Sequence, residues 1–315
     1  MFLRAMILVL RYMLVASIWL PAHAAQTVTL LLSEPAGIYQ DAARALQNEL
    51  TRVENRDEAR YEVRFLHVDE RPNLLSGQDG LIVTLGVRAL KYALDGQVAT
   101  PLFALLVPSL TYDKLILERP QSSRRTISAL FLDQPYPRQM QLIRHALPGA
   151  RRVGVLLGTA TEQQGGGLKK AGRENGLDVR IHTIHSRESI FSALNDLARE
   201  VDVLLLLPDP HVVSGETLRT LLLQTYRLRL PIVAYAASLV QAGATLGIYA
   251  TPAQMGAEVG KWIRELDVEK NSIKATTRFP QRYTIEINRN VARTLQLILP
   301  AVESLNARLD AERGQ

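Results

Sequence analysis

The sequence predicts an α/β protein of two Rossmann-like lobes, each built on a parallel β-sheet with helices on both faces. Three observations carry this expectation. Short runs of Val, Ile and Leu alternate with helix-patterned stretches along nearly the whole chain, as repeated βα units require. The alternation stops and restarts near residues 132–135, so there are two series and two sheets. The length of 315 residues suits two domains, at about 100–200 residues for each.

The first series opens with residues 27–32, a β-branched and leucine run suited to a buried parallel strand. Residues 33–37 form a loop, and 38–53 carry Ala42, Ala45, Leu46 and Leu50 at helical spacing. Residues 61–68 alternate as a second strand. A third strand at 80–85 leads into a helix at 86–93, and strands at 101–107 and 126–132 complete the series.

The second series begins with a helix at 135–146 and an apolar strand at 153–157. A helix at 161–175 is loosened by Gly165-Gly166-Gly167 and closed by Gly176, glycine being the usual residue just past a helix end. A strand at 179–184, a helix at 187–199 and the most apolar strand, 201–207, follow. Ser214 caps a helix running to about residue 229. Then come strands at 231–235 and 244–249, an amphipathic helix at 252–266, a strand at 282–287 and two terminal helices.

The first 24 residues read separately. Arg4 and Arg11 supply positive charge, residues 12–20 are apolar, Pro21 breaks the run, and Ala22-His23-Ala24 follows. This is the order of a secretory signal peptide, with cleavage expected between Ala24 and Ala25. The apolar stretch 5–20 is interrupted by Arg11, and a spanning helix wants about 20 residues. No Cys follows for lipid attachment, and the adjacent arginines of the twin-arginine route are missing from this segment. The expectation is a chain exported to the periplasm.

Composition narrows the function. With no cysteine in the chain, disulfides, thiolate metal sites and cysteine nucleophiles are excluded. The formal charge is +6; the leader holds two of the 37 basic residues and none of the 31 acidic ones, which leaves +4. That is too mild and too evenly spread for nucleic acid, and Arg124-Arg125 and Arg151-Arg152 read as solvated pairs. Gly165 to Lys170 lacks the spacing and the Ser or Thr of a phosphate loop. No Gly-x-Ser-x-Gly elbow is present, and the first strand is followed by Ser33-Glu34-Pro35-Ala36-Gly37, not a dinucleotide cradle. His182 and His185 have no third ligand near them in sequence, so no metal and no cofactor is expected.

Four segments in order carry a family resemblance: 147–156 (Leu-Pro-Gly-Ala-Arg-Arg-Val-Gly-Val-Leu), 207–210 (Leu-Pro-Asp-Pro), 231–244 with its Val240-Gln241-Ala242-Gly243-Ala244, and 286–295. They resemble the tryptophan- and tyrosine-binding type of ABC transporter substrate-binding protein. The resemblance spans about residues 126–300, and the first third matches only in its βα rhythm. It implies the type I periplasmic-binding fold: two lobes joined by three crossover strands, ligand in the cleft, and an inner-membrane ABC permease as partner. On that reading residues 25–132 plus about 251–275 form the first lobe, and 133–250 plus about 276–315 the second.

In such sheets the loops at the carboxyl ends of the strands converge on the crevice, and helix starts there favour anions. The ligand candidates follow from strand ends: Ser33 after the first, Thr84 and Gly86 at the third, Thr159 after the sixth, Asp209 after the strong leucine strand, and Tyr235 and Ser238 after the next. Tyr112 and Tyr136 could offer stacking faces, or pack half-buried. Family members often carry Gly-Thr-Pro where this chain has Gly86-Val87-Arg88. The resemblance gives Asp209 a role on a ligand amino group; locally it reads equally as a turn or capping carboxylate. His211 beside it would face the cleft or sit solvated in the loop.

The expected function is periplasmic capture of a small amino-acid-like or carboxylate solute by a monomeric, non-enzymatic binding protein. The alternative is a ligand-sensing or receptor-docking accessory protein on the same fold, and an enzyme ranks third.

Overall fold

The computed structural model describes residues 26–52, 61–70, 80–96, 100–118, 126–159, 161–186, 188–266 and 274–312. The leader with its expected cleavage point, Arg124-Arg125 and Arg187 lie outside these residues.

The first sheet is built from β1 (Gln26–Leu32), β2 (Tyr61–His67), β3 (Leu81–Leu85), β4 (Leu102–Val107), β5 (Ile127–Phe131) and β11 (Thr277–Arg278), in the order β11-β5-β4-β3-β1-β2, every pairing parallel. The central strands are buried along their whole length, as a parallel sheet covered on both faces requires. One face carries α1 (Ile38–Leu50) and α9 (Pro252–Glu265); the other carries α2 (Val87–Asp95) and α3 (Ser109–Leu117).

The second sheet comprises β6 (Arg152–Gly158), β7 (Asp178–Ile184), β8 (Val203–Leu205), β9 (Ile232–Ala234), β10 (Leu246–Tyr249) and β12 (Thr284–Ile287), in the order β12-β10-β9-β8-β6-β7. Its faces are covered by α4 (Tyr136–Ala146), α5 (Gly165–Glu174) and α11 (Val302–Glu312) on one side. The other side carries α6 (Ser189–Ala198), α7 (Leu218–Arg227) and α8 (Ala237–Ala242). A short α10 (Arg289–Thr294) is capped by the Asn288 side chain.

The second sheet is parallel except at β12, which runs antiparallel to β10 with Thr284 opposite Tyr249. The reason is the route of the chain. After β10 it crosses to the first lobe, forms α9 and β11, and returns at the carboxyl tips of the second sheet, so it can only run away from them. The return comes after Arg278, which still pairs in the first sheet, a few residues past the expected point near 275.

Other departures have local causes. Helix α3 was no part of the sequence expectation; its first N–H is capped by Asp133, 24 residues on, which no local pattern reveals. The strand expected at 201–207 pairs as a strand only over Val203–Leu205. The helix expected from Ser214 starts at Leu218, because Ser214 and Thr217 cap each other's backbone N–H in a turn ahead of it. The glycine run opens α5 instead of interrupting it, and Gly176 closes it at φ 70°. Helix α8 and the short β11 were also not anticipated.

Helix α9 lies far from α1 in sequence yet packs closely on it. A Cβ at Gly256 would stand 2.0 Å from the Ala42 carbonyl oxygen, and one at Gly260 would stand 2.6 Å from Glu49 Cβ. Only glycine at these two positions lets the backbones approach. Trp262 then meets Phe103 edge-on at 5.0 Å and lies under the Arg278 guanidinium at 4.0 Å, tying β11 to the same helix. The three crossings are linked to one another as well. Arg138 Nη1 donates to Pro280 O at 2.7 Å and Gln254 Nε2 to Thr284 Oγ1 at 3.3 Å.

At the far end of β6, Asp202 accepts from the backbone N–H groups of Arg151 and Arg152 and from the Arg152 guanidinium at 2.7 Å. The Arg152 hydrogen bond, helped by those N–H groups, lowers the Asp202 carboxyl from 3.8 to about 2. A lowered folded-state pKa stabilises above the unfolded value and loses that contribution as pH falls through the folded one. Asp202→Asn should therefore cost about 1 kcal/mol near neutrality, with wild type and variant converging as pH drops from about 4 to about 2, read by urea unfolding at each pH. Gly256→Ala should cost about 3 kcal/mol, visible as a lowered thermal midpoint.

Candidate functional site

The carboxyl tips of the two sheets meet across a cleft. Between them is a cavity of about 10 Å³, with Ser109 and Asp133 on the first-lobe wall, Tyr136, Thr161, Gln164 and Asp209 on the second, and Leu157 and Leu207 behind. This is room for about one water molecule, so a solute of several heavy atoms enters only when the lobes part.

Each wall is organised around a buried carboxylate. Asp133 follows β5 and is 5% exposed. One oxygen accepts from Ser109 N at 2.7 Å and the other from Ser109 Oγ at 2.6 Å, capping α3. Burial raises its carboxyl pKa, and the Ser109 hydrogen bonds oppose that shift. Ser109 is placed by a bulge in β4, where the register shifts and Leu106 takes φ 58°; such bulges re-aim the residues that follow.

Asp209 follows β8 and is 1% exposed. One oxygen accepts from Gly158 N at 2.6 Å and from the Thr161 hydroxyl; the other accepts from His211 N at 2.8 Å. Gly158 makes room for this arrangement, since a Cβ there would stand 3.1 Å from both carboxylate oxygens. The His211 ring reaches within 3.7 Å of the carboxylate but is half-exposed. Tyr136 donates to Gln164 Oε1; burial, then the charge of Asp133, pushes its phenol pKa up. Tyr235 is pushed up to about 12 by burial and then by Asp209.

Of the residues picked from sequence, Tyr136 and Asp209 line the cavity and Tyr235 lies within the field of Asp209. Ser33 and Gly86 sit together on the first lobe. Ser33 Oγ accepts from Ala89 N at 3.0 Å, capping α2, and its carbonyl accepts from Arg88. Gly86 is at φ 94°, and a Cβ there would meet Ser33 Oγ and Tyr39 Cε1 at 2.5 Å. Thr84 is fully buried and donates to Phe103 O at 3.3 Å. Tyr112 is buried in the first lobe, its hydroxyl on Ile127 O. Thr159 and Ser238 are exposed. Sequence reasoning missed Asp133, Ser109 and Gln164. The rule that singled out Asp209, an acid just past a buried strand, applies equally to Asp133.

Beyond the half-exposed His211 beside Asp209, neither carboxylate has a basic neighbour lining the cavity, whose walls carry no Lys, Arg or His. Among the described residues no group of three His, Cys, Asp or Glu could hold a metal ion, and no helix is long and apolar enough to cross a membrane.

Comparison with known proteins places this geometry. The family described as ABC transporter substrate binding protein matches residues 116–303. A solved Streptococcus pneumonia ABC domain in complex with L-Trp is similar with a TM-score of 0.62 at 16% identity, over 90% of this chain and 98% of that one. A ligand-free, open substrate binding protein with adhesive properties from Clostridium difficile gives 0.66 at 16%, over 88% and 97%. A periplasmic ribose ABC transporter from Conexibacter woesei gives 0.52 at 12%, over 89% and 97%. These likenesses give the type I periplasmic-binding fold. Among curated proteins none matches.

Because Asp209 receives three donors from its own lobe, Asp209→Ala should destabilise the protein by about 3 kcal/mol, and Asp209→Asn by less, measured by urea unfolding.

Proposed function

This chain belongs to the ABC transporter substrate binding protein family, and from that we propose that it captures a small solute between its lobes in the periplasm and delivers it to an inner-membrane permease. The observation that carries the reading is the cleft itself, where polar side chains from both lobes converge on a space closed to about 10 Å³. Closure of this kind is a population shift set by contacts the ligand makes only in the closed form. The leader-like residues 1–24 support export. The protein acts as a monomer and binds without chemistry: the Ser109 and Thr161 hydroxyls are spent on Asp133 and Asp209 as loop and helix caps.

Of the solutes the sequence suggests, the cleft favours the amine-bearing, amino-acid-like kind over a bare carboxylate, since Asp133 and Asp209 would repel an unshielded acid. The solved relatives include one with L-Trp and one from a ribose system.

The test combines thermal shift and small-angle scattering on the chain from Ala25 onward, screened against amino acids, amines, sugars and organic acids. A solute at 100 times its Kd should add about 2.7 kcal/mol of stability and shift the distribution between parted and closed lobes. If no solute in the panel moves either reading, the proposal is wrong.

A further inference from the structure

We infer that the second lobe carries a docking groove on its flank, and that the occupant is an acidic amphipathic helix of a partner protein. The groove lies between α7 and the residues Ala242, Gly243 and Val291 of α8 and α10. It shares no residue with the cleft cavity, so it stands apart from solute binding.

Helix α7 leaves an apolar stripe exposed. Its inner face, Leu221, Leu222 and Thr225, is buried, and Gln224 Nε2 donates to Asn195 Oδ1 of α6 at 2.7 Å. The outer face of such a helix is ordinarily polar. Here Leu223 and Tyr226 are 51% and 49% exposed, and Leu228 follows at the helix end. The other large apolar side chains exposed among the described residues, Ile38, Leu117, Phe279 and Ile298, are scattered singly. Single ones are ordinary on a protein surface; a contiguous group marks a contact face.

The group borders a hollow. Leu218, Leu222, Leu223 and Tyr226 form one wall, facing Ala242 and Val291, around a space of about 450 Å³. Gly215 and Gly243 also line it, so no side chain fills it at those points. Leu218, Leu222 and Tyr226 recur at every fourth residue, so the wall runs along α7 for about 12 Å. A trough of this form receives the apolar ridge of a single helix. A flat bilayer surface would leave it empty.

Charge selects the occupant. The segments that build the groove hold Arg219, Arg227, Arg229, Arg289 and Arg293, all exposed, against one acid, Glu216. Arg219 lines the groove. It shares a helix face with Leu223 and Arg227, four and eight residues on, so a basic group stands at each end of the apolar stripe. No ion pair among the described residues neutralises these arginines. Like charges gathered beside exposed leucine and tyrosine repel one another, and carboxylates flanking an incoming apolar face relieve that repulsion. Arg and Tyr are also the side chains that most often dominate binding energy at interfaces. A second copy of the chain fits less well, because the scattered apolar residues elsewhere on the described surface form no matching ridge.

The test is fluorescence anisotropy on the unaltered chain from Ala25 onward, with no solute added. The probe is a labelled amphipathic peptide of about 18 residues, long enough to form a helix, with Leu and Phe on one face and Glu on its flanks. Its twin carries Lys in place of every Glu. The Glu peptide should bind, the Lys twin should bind at least about tenfold more weakly, and binding should fall as salt rises. Leu223→Glu, Tyr226→Glu and Arg219→Glu should each weaken the Glu peptide about tenfold, while Tyr226→Phe keeps it. All three positions are exposed, so the variants should retain the thermal midpoint of the parent chain. No binding by either peptide, equal binding by both, or binding indifferent to these variants would overturn the inference. So would sedimentation of a dimer that Tyr226→Glu dissolves, which gives the groove to a second copy. Cosedimentation with anionic phospholipid vesicles that the same variant abolishes would give it to a membrane and overturn the inference equally. None of these outcomes touches the cleft or the solute it takes.

Discussion

A parallel sheet must be covered on both faces, and the first 132 residues of this chain do not provide enough helix to do it. Among the described residues they supply α2 and α3 for one face but only α1 for the other. The missing cover is α9, which arrives after the five parallel strands of the second sheet have been laid down. Its seat depends on two glycines, because the backbone of α1 passes where a side chain at residue 256 or 260 would stand. From this one contact the rest of the architecture follows. The chain must leave the first lobe, return and leave again, which makes three crossings and turns β12 antiparallel. Hydrogen bonds from Arg138 and Gln254 bind the crossings to each other.

The cleft shows how stability and recognition share the same atoms. Asp133 and Asp209 each satisfy backbone N–H groups that would otherwise be buried without partners, which is reason enough for an acid at a strand tip. Doing so places a negative charge on each wall. The bulge at Leu106 belongs to the same design. A buried leucine in the left-handed region is a local cost, the kind of strain that persists where surrounding packing dictates it. In exchange the start of α3 points at Asp133.

Much of this was legible in the sequence. Period and composition located eleven of the twelve strands to within two residues, and the acid that follows β8. What was not legible depends on partners far away in the chain. Helix α3 takes its cap from Asp133, so its own residues carry no start signal. Thr84 sits at a strand tip by position, yet its hydroxyl is needed inside the sheet by Phe103 O. Ser33 points to a helix N–H instead of the cleft. Strand-end position identifies which loops surround a crevice; it does not say whether a given side chain faces out of its lobe, which is decided by neighbours the sequence places elsewhere.

The late arrival of α9 also sets an order of events. A chain emerging from its amino terminus makes the five parallel strands of the second sheet, β6 to β10, before the first lobe is closed, since the first sheet waits for residues 252–265, and the second lobe in turn waits for β12 and α11. Until then one face of β1, β3 and β4 has, among the described residues, only α1 to shelter it. The lobe that is begun first is thus left open while most of the other is made, and its uncovered face is apolar surface that a chaperone or a translocation machinery would have to shield in the meantime.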